Sequence, residues 1–180
     1  MLHIHNEELK SLIRADYSLN DLQAVTDLLD QKGTLDFPKL DNGLFPAAAP
    51  TDGAGKTGYD NVWLRDNIHL AFAHYFTGDT ATAVKTVQTL KKFYMAYRYR
   101  FEDVIKGEAD PADPMNRPHV RFNGTELKEN DEKWAHAQND ALGIFLWFYC
   151  LLAHEGHIFP QQEDLELLAL FVLYFQTIGF

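Results

Sequence analysis

The chain has 180 residues, 46% of them hydrophobic and 23% charged, a globular composition that excludes a disordered or low-complexity polymer. Its 16 Lys+Arg against 26 Asp+Glu give a formal net charge of -10. A surface this acidic repels phosphate backbones, so nucleic acid and anionic membrane are excluded as partners while neutral ligands such as sugars are not.

Met1-Leu-His-Ile-His-Asn-Glu-Glu8 has neither a basic n-region nor an apolar h-region, so no secretory signal is read here. The single cysteine, Cys150, lies in an apolar run; it cannot form an internal disulfide and reads as a small buried hydrophobe. Together these features predict a soluble, cytoplasmic protein. From residue 6 to 31 the pattern is helical, with Leu19, Leu22, Val25, Leu28 and Leu29 on one stripe and Gly33 as the stop signal. Gly33, Gly43, Gly53, Gly55 and Gly58, with Pro38, Pro46 and Pro50, forbid a helix after that and predict a long ordered loop or short strands over 33–65.

Helical character returns near Asp66. Ile68, Leu70, Ala71, Phe72 and Tyr75 predict a first helix closed by Gly78, with Asp79 or Thr80 capping the next. Val84, Val87, Leu90, Tyr94, Tyr97, Phe101 and Val104 then step by three or four and predict one long amphipathic helix. After the breaker run Asp110–Pro118, Val120–Leu127 reads as a short hairpin turning at Asn123-Gly124. Ala141–Ala153 is apolar almost all round, a helix surrounded by protein, and Leu165–Phe175 follows the start signal at Pro160–Asp164. The link at His154–His157 makes these two an antiparallel hairpin, each shorter than the roughly 20 residues of a membrane span.

Some motifs are decoys. Gly53-Ala-Gly55-Lys56-Thr57 looks like the end of a phosphate-binding loop, but Pro50 stands where the motif needs glycine and no strand leads in. His3 with His5, and His154 with His157, lack the further ligands of a metal site, so no metal or cofactor is expected. Tyr59-Asp-Asn-Val-Trp63-Leu-Arg65-Asp66-Asn67 carries more chemistry. Arg65 offers a planar fork of donors and Asp66 acceptors, a pairing suited to vicinal hydroxyls, while Tyr59 and Trp63 offer flat faces for a pyranose. An ion pair capping the helix would explain the same residues equally well. Lys133-Trp134-Ala-His136-Ala-Gln138-Asn139-Asp140 repeats the arrangement before the next inner helix, with Asn139 or Asp140 as an N-cap in the plainer reading. Two such entrances facing one mouth favour a polar, aromatic pocket.

At these residues the chain resembles glycoside hydrolase family 15, the glucoamylases and glucodextranases, and the related domains of phosphorylase kinase alpha and beta subunits. Tyr59-x-x-x-Trp63-x-Arg65-Asp66 is similar to the first family motif. Trp134-Ala-His136-Ala-Gln138-Asn139-Asp140-Ala141 is similar to the second, in a form nearer to phosphorylase kinase, and Phe122–Leu127 fits the loop between them. The resemblance implies an all-α fold, a partial (α/α)6 toroid with a Gly/Pro-rich loop and a short hairpin, holding about four of the toroid helices. It implies a single incomplete domain over 1–180: N-terminal helices over 1–32, loop over 33–65, toroid helices over 66–180. By the same resemblance Arg65 and Asp66 hold the non-reducing glucose, Tyr59 and Trp63 line that subsite, Trp134 borders the next, and His136, Gln138 and Asp140 support the site rather than react.

The family's inverting chemistry uses two carboxyls about 6.5–9.5 Å apart. Both fall, by the resemblance, after Phe180, and Glu126, Glu129 and Glu132 match neither, so no residue here is expected to be catalytic. The expectation is an N-terminal glucoamylase-like fragment that binds an alpha-glucan or glucose-containing oligosaccharide weakly and does not cut it alone. The alternative is a regulatory or interaction module like the phosphorylase kinase subunits. Either way the apolar helices at 141–153 and 165–180 need cover, from a second copy or from the missing C-terminal portion.

Overall fold

A computed structural model describes residues 3–48 and 61–180. They fall into two compact units divided between Phe37 and Pro38. The first unit is a helical pair, α1 (Glu7–Leu12) and α2 (Leu19–Gln31). Asn6 caps α1, and a reciprocal Ser18/Asp21 capping box starts α2. Gly33 ends α2 in the left-handed region at φ 63°, as its position after the stripe predicts.

The second unit is built from α3 (Leu64–Phe76), α4 (Thr80–Ala96), α5 (Tyr99–Lys106), α6 (Asn139–His154) and α7 (Gln162–Thr177). Three short strands, β1 (Val62–Trp63), β2 (Arg121–Asn123) and β3 (Lys128–Glu129), form an antiparallel sheet in that order. A tight turn joins α3 to α4: Gly78 takes φ 95°, and Asp79 accepts the Thr82 N–H at 3.1 Å. α3 and α6 run parallel, because Arg65 meets Asp140 at their starts and Phe72 meets Trp147 half-way along. α6 and α7 run antiparallel, with Phe145 against Phe171 and the Tyr149 hydroxyl beside the Asp164 carboxylate. Paired helical hairpins, α3/α4 and α6/α7, set side by side make this unit part of an (α/α)6 toroid. No helix among the described residues is long and apolar enough to cross a membrane.

The core is aromatic. Phe93 stacks on Phe122 at 3.7 Å, and Tyr94, Phe101, Phe145 and Phe171 close on one another edge to face or tilted. The segment before the sheet is anchored by side chains that read its backbone. Thr86 donates to the Gly43 carbonyl and Thr89 to the Asn42 carbonyl, each at 2.7 Å. Leu44 and Phe45 are thereby sunk into the core, within the segment whose glycines and prolines forbid a helix.

Three local expectations are corrected. The long helix over Val84–Val104 is two, α4 and α5, bent at Tyr97-Arg98 without a glycine or proline. The bend carries Arg100 to Glu129, which accepts from Nη2 at 2.7 Å and from Nε at 3.0 Å. The hairpin exists, but its loop is 124–127, because Phe122 pairs with Glu129 and Asn123 with Lys128. Asn123 Oδ1 accepts from Thr125 and Glu126 N–H groups, so it makes an Asx turn, and Gly124 is needed because a Cβ there would overlap Val62 Cγ2. Finally, α6 is not surrounded by this chain: Trp147 is 51% exposed and Cys150 is exposed beside it. The helix buries only the face carrying Leu142, Phe145, Tyr149 and Leu152.

Candidate functional site

The site grows from the junction of β1 with α3. Trp63 ends the strand and occupies the position just before the helix, so Arg65 and Asp66 fall in the first helical turn. Asn67 holds this junction. Its buried amide accepts from Phe45 N–H and donates to Phe45 C=O, both at 2.8 Å, and donates to Trp63 C=O at 2.9 Å. Leu64 N–H donates to Val120 C=O, tying the same corner to β2.

Arg65 reaches across to α6. Nε donates to Asp140 Oδ2 at 2.8 Å and Nη2 to Gln138 Oε1 at 3.1 Å, while Nη2 also lies 2.7 Å from Asp140 Oδ2 as its ion-pair partner. Gln138 is itself pinned, its Nε2 donating to Ala135 C=O. It takes the N-cap position without a side-chain cap, and Asn139 and Asp140 are the first helical residues rather than caps. The second cluster therefore orients the first: two acceptors on α6 fix the guanidinium plane and leave Nη1 without a hydrogen bond among the described residues. Asp66 is exposed beside it and makes no hydrogen bond or ion pair among them. Its charge suits the positive end of the α3 dipole.

Trp63 and Trp134 meet edge to face at 5.4 Å. Trp134 also borders a groove of about 480 Å³ with Asp113, Pro114, Met115, Lys133 and Ala135, and its backbone N–H contacts Met115 Sδ at 3.2 Å. Tyr59 and the Gly53–Thr57 decoy lie outside the described residues.

His136 is buried, and its Nδ1 accepts from Val120 N–H at 3.2 Å. Its ring stacks on His119 at 3.7 Å and 8°. Burial first, then His119, Arg100 and Arg121, push its pKa down to about 3, and burial likewise lowers His119. Both imidazoles are neutral structural pieces at neutral pH. The three nearby glutamates are each held by a cation: Glu126 by Lys128, Glu132 by Arg121 and Glu129 by Arg100. Among the described residues no group of three or more His, Cys, Asp or Glu is placed to hold a metal ion. Cys150 is exposed, not the buried hydrophobe its apolar neighbours suggested, and partial desolvation raises its thiol pKa.

Sequence reasoning missed Asn67 as the anchor and Arg121 under Trp134, where the guanidinium sits 4.2 Å from the indole centroid. The only signal for Asn67 was a polar residue directly following the Arg-Asp pair. Arg121 had none, since its partners come from distant segments.

Known proteins now bear on this arrangement. The chain is 27% identical over 200 aligned residues to the uncharacterized lipoprotein YgeQ of Escherichia coli (strain K12), covering 99% of this chain and 75% of that protein. Among solved structures it is similar to a glycosidase E335A in complex with glucose, at a TM-score of 0.68 and 21% identity. That match covers 92% of this chain and 43% of the glycosidase, so the chain spans less than half of that protein's length. The family model for glycosyl hydrolases family 15 matches residues 24–172, and the chain belongs to that family.

Proposed function

We propose that this chain carries the glucose-holding surface of a family 15 glycosidase and does not hydrolyse glucan by itself. One observation carries the reading. Asp140 and Gln138 fix the Arg65 guanidinium, whose Nη1 makes no hydrogen bond among the described residues, and the next residue, Asp66, is exposed with no hydrogen bond or ion pair among them. A donor fork and an acceptor on consecutive residues of one helical turn suit adjacent sugar hydroxyls, each of which donates and accepts. Trp63 and Trp134 supply aromatic surface for the apolar face of the ring. The structural neighbour's glucose agrees with a glucose-containing oligosaccharide or alpha-glucan as ligand.

Inverting hydrolysis would need an acid and a base about 6.5–9.5 Å apart around a water. Glu126, Glu129 and Glu132 are committed to Lys128, Arg100 and Arg121, so the pair is expected from another segment or chain. The open face of α6, with Trp147, and that of α7, with Leu165, Val172 and Leu173, is the surface such a segment or a second copy would cover. Titrating the pure 180-residue protein with maltose should give a saturable change in tryptophan fluorescence and no free glucose. Release of glucose from maltose would overturn the reading. A complete lack of response would favour a regulatory module resembling phosphorylase kinase subunits, in which the buried His136 serves structure only.

A further inference from the structure

Arg121 has poor company for a buried cation. Its side chain is 5% exposed, and its ion-pair partner Glu132, 2.8 Å from Nη2, is 66% exposed. Nε and Nη1 are sealed from solvent and make no hydrogen bond among the described residues. A guanidinium held this way folds less favourably than an apolar side chain of similar volume. Stability therefore does not explain its presence.

Geometry does. β2 pairs Arg121 with Trp63 across the sheet, and the guanidinium carbon lies 4.2 Å from the Trp134 ring centroid. One step along, His119 stacks on His136 at 3.7 Å, and Val120 N–H donates to His136 Nδ1 between the two stacks. Residues 119–121 and 134–136 thus pass one another in antiparallel order as a ladder of stacked planes. Trp134 is the rung that also lines the groove with Met115, Pro114 and Lys133. Because Nε and Nη1 are sealed, the cation reaches a ligand only through the indole it supports.

We propose that Arg121 is a positioning residue for carbohydrate binding: its planar cation backs Trp134 and fixes the indole as the platform for a hexopyranose unit in the adjoining groove. This rests on the sugar-holding reading of the site given above. Arginine suits the task because its guanidinium is flat and weakly hydrated, whereas an ammonium presents no plane to stack.

The test is a maltose titration of the full chain by tryptophan fluorescence, with near-ultraviolet circular dichroism and thermal midpoints alongside. Arg121→Met should weaken maltose about tenfold and alter the indole dichroism, while its midpoint stays level or rises. Arg121→Lys should fall between Met and the parent. A merely structural arginine gives the opposite pattern, a lower midpoint with unchanged affinity, and that result overturns the proposal. If Arg121→Met does not fold, Glu132→Gln decides, since it loosens the arginine from an exposed position: weaker maltose with altered indole dichroism supports the proposal, and no change in either overturns it. The two readings fail separately. A parent chain blind to maltose removes the sugar site and the platform together, whereas a responsive parent with an equally responsive Arg121→Met removes only the role of Arg121.

Discussion

The Arg65–Asp140 and Lys91–Asp164 ion pairs both tie one helix to another, yet water reaches the first and hardly reaches the second. Arg65 and Asp140 are 39% and 60% exposed; Lys91 and Asp164 are 18% and 3% exposed. The exposed pair joins the starts of α3 and α6 and contributes little to stability, because solvent screens it. On the proposed reading, its value lies in holding a donor fork still. The buried pair joins α4 to α7, and Asp164 also accepts from the Gln161 N–H to start α7. There an unpaired partner would be costly. On the proposed reading, similar charges serve as a sugar site in one place and as a clamp in the other, and exposure decides which.

The comparison is broken most directly at the clamp. Asp164→Ala should cost about 3–5 kcal/mol, a fall in thermal midpoint of roughly 6–20 °C, whereas Lys91→Met with Asp164→Leu together should cost much less. Equal losses in the single and double variants would show that the ion pair is not what holds α7. Acid is the next probe. Asp164 is held below its ordinary carboxylate pKa: burial opposes this, but Lys91 and the Gln161 N–H outweigh it. Its stabilisation is present above about pH 3.8 and is lost as pH falls through the lower folded value. His136 titrates in the same direction for a different reason. Its folded pKa of about 3 lies below the ordinary 6.5, so its stabilisation is intact above about pH 6.5 and drains between 6.5 and 3. The unfolding free energy from urea titrations should therefore decline below about pH 6.5 by up to about 1.4 kcal/mol per pH unit per group, and His136→Gln should flatten that limb. The smallest stability effect belongs to the exposed pair. Arg65→Met should change stability by less than about 1 kcal/mol while abolishing the maltose response. A maltose response that survives would take Arg65 out of the site.

The helices were legible because their signals are local. The α2 stripe with Gly33, the Gly78-Asp79 turn and the α7 start signal are read within a few residues and reappear as cap geometry. The Arg65/Asp66 and Gln138/Asp140 clusters were legible as two entrances; that one set orients the other depends on α3 and α6 being parallel neighbours, which no local pattern states. The bend at Tyr97-Arg98 was hidden because the aromatics continue at helical spacing through it, and only the distant pairing of Arg100 with Glu129 fixes it. Arg121 was hidden for the same reason, since a lone arginine in a short strand acquires meaning only when Trp63 and Trp134 arrive.

Cys150, the sole cysteine, lies one helical turn from Trp147 on the open side of α6. That placement gives the protein a built-in reporter. A thiol reagent applied at mildly alkaline pH labels a single atom at the centre of the uncovered face. Slowed labelling then maps whatever settles there, without any engineered residue.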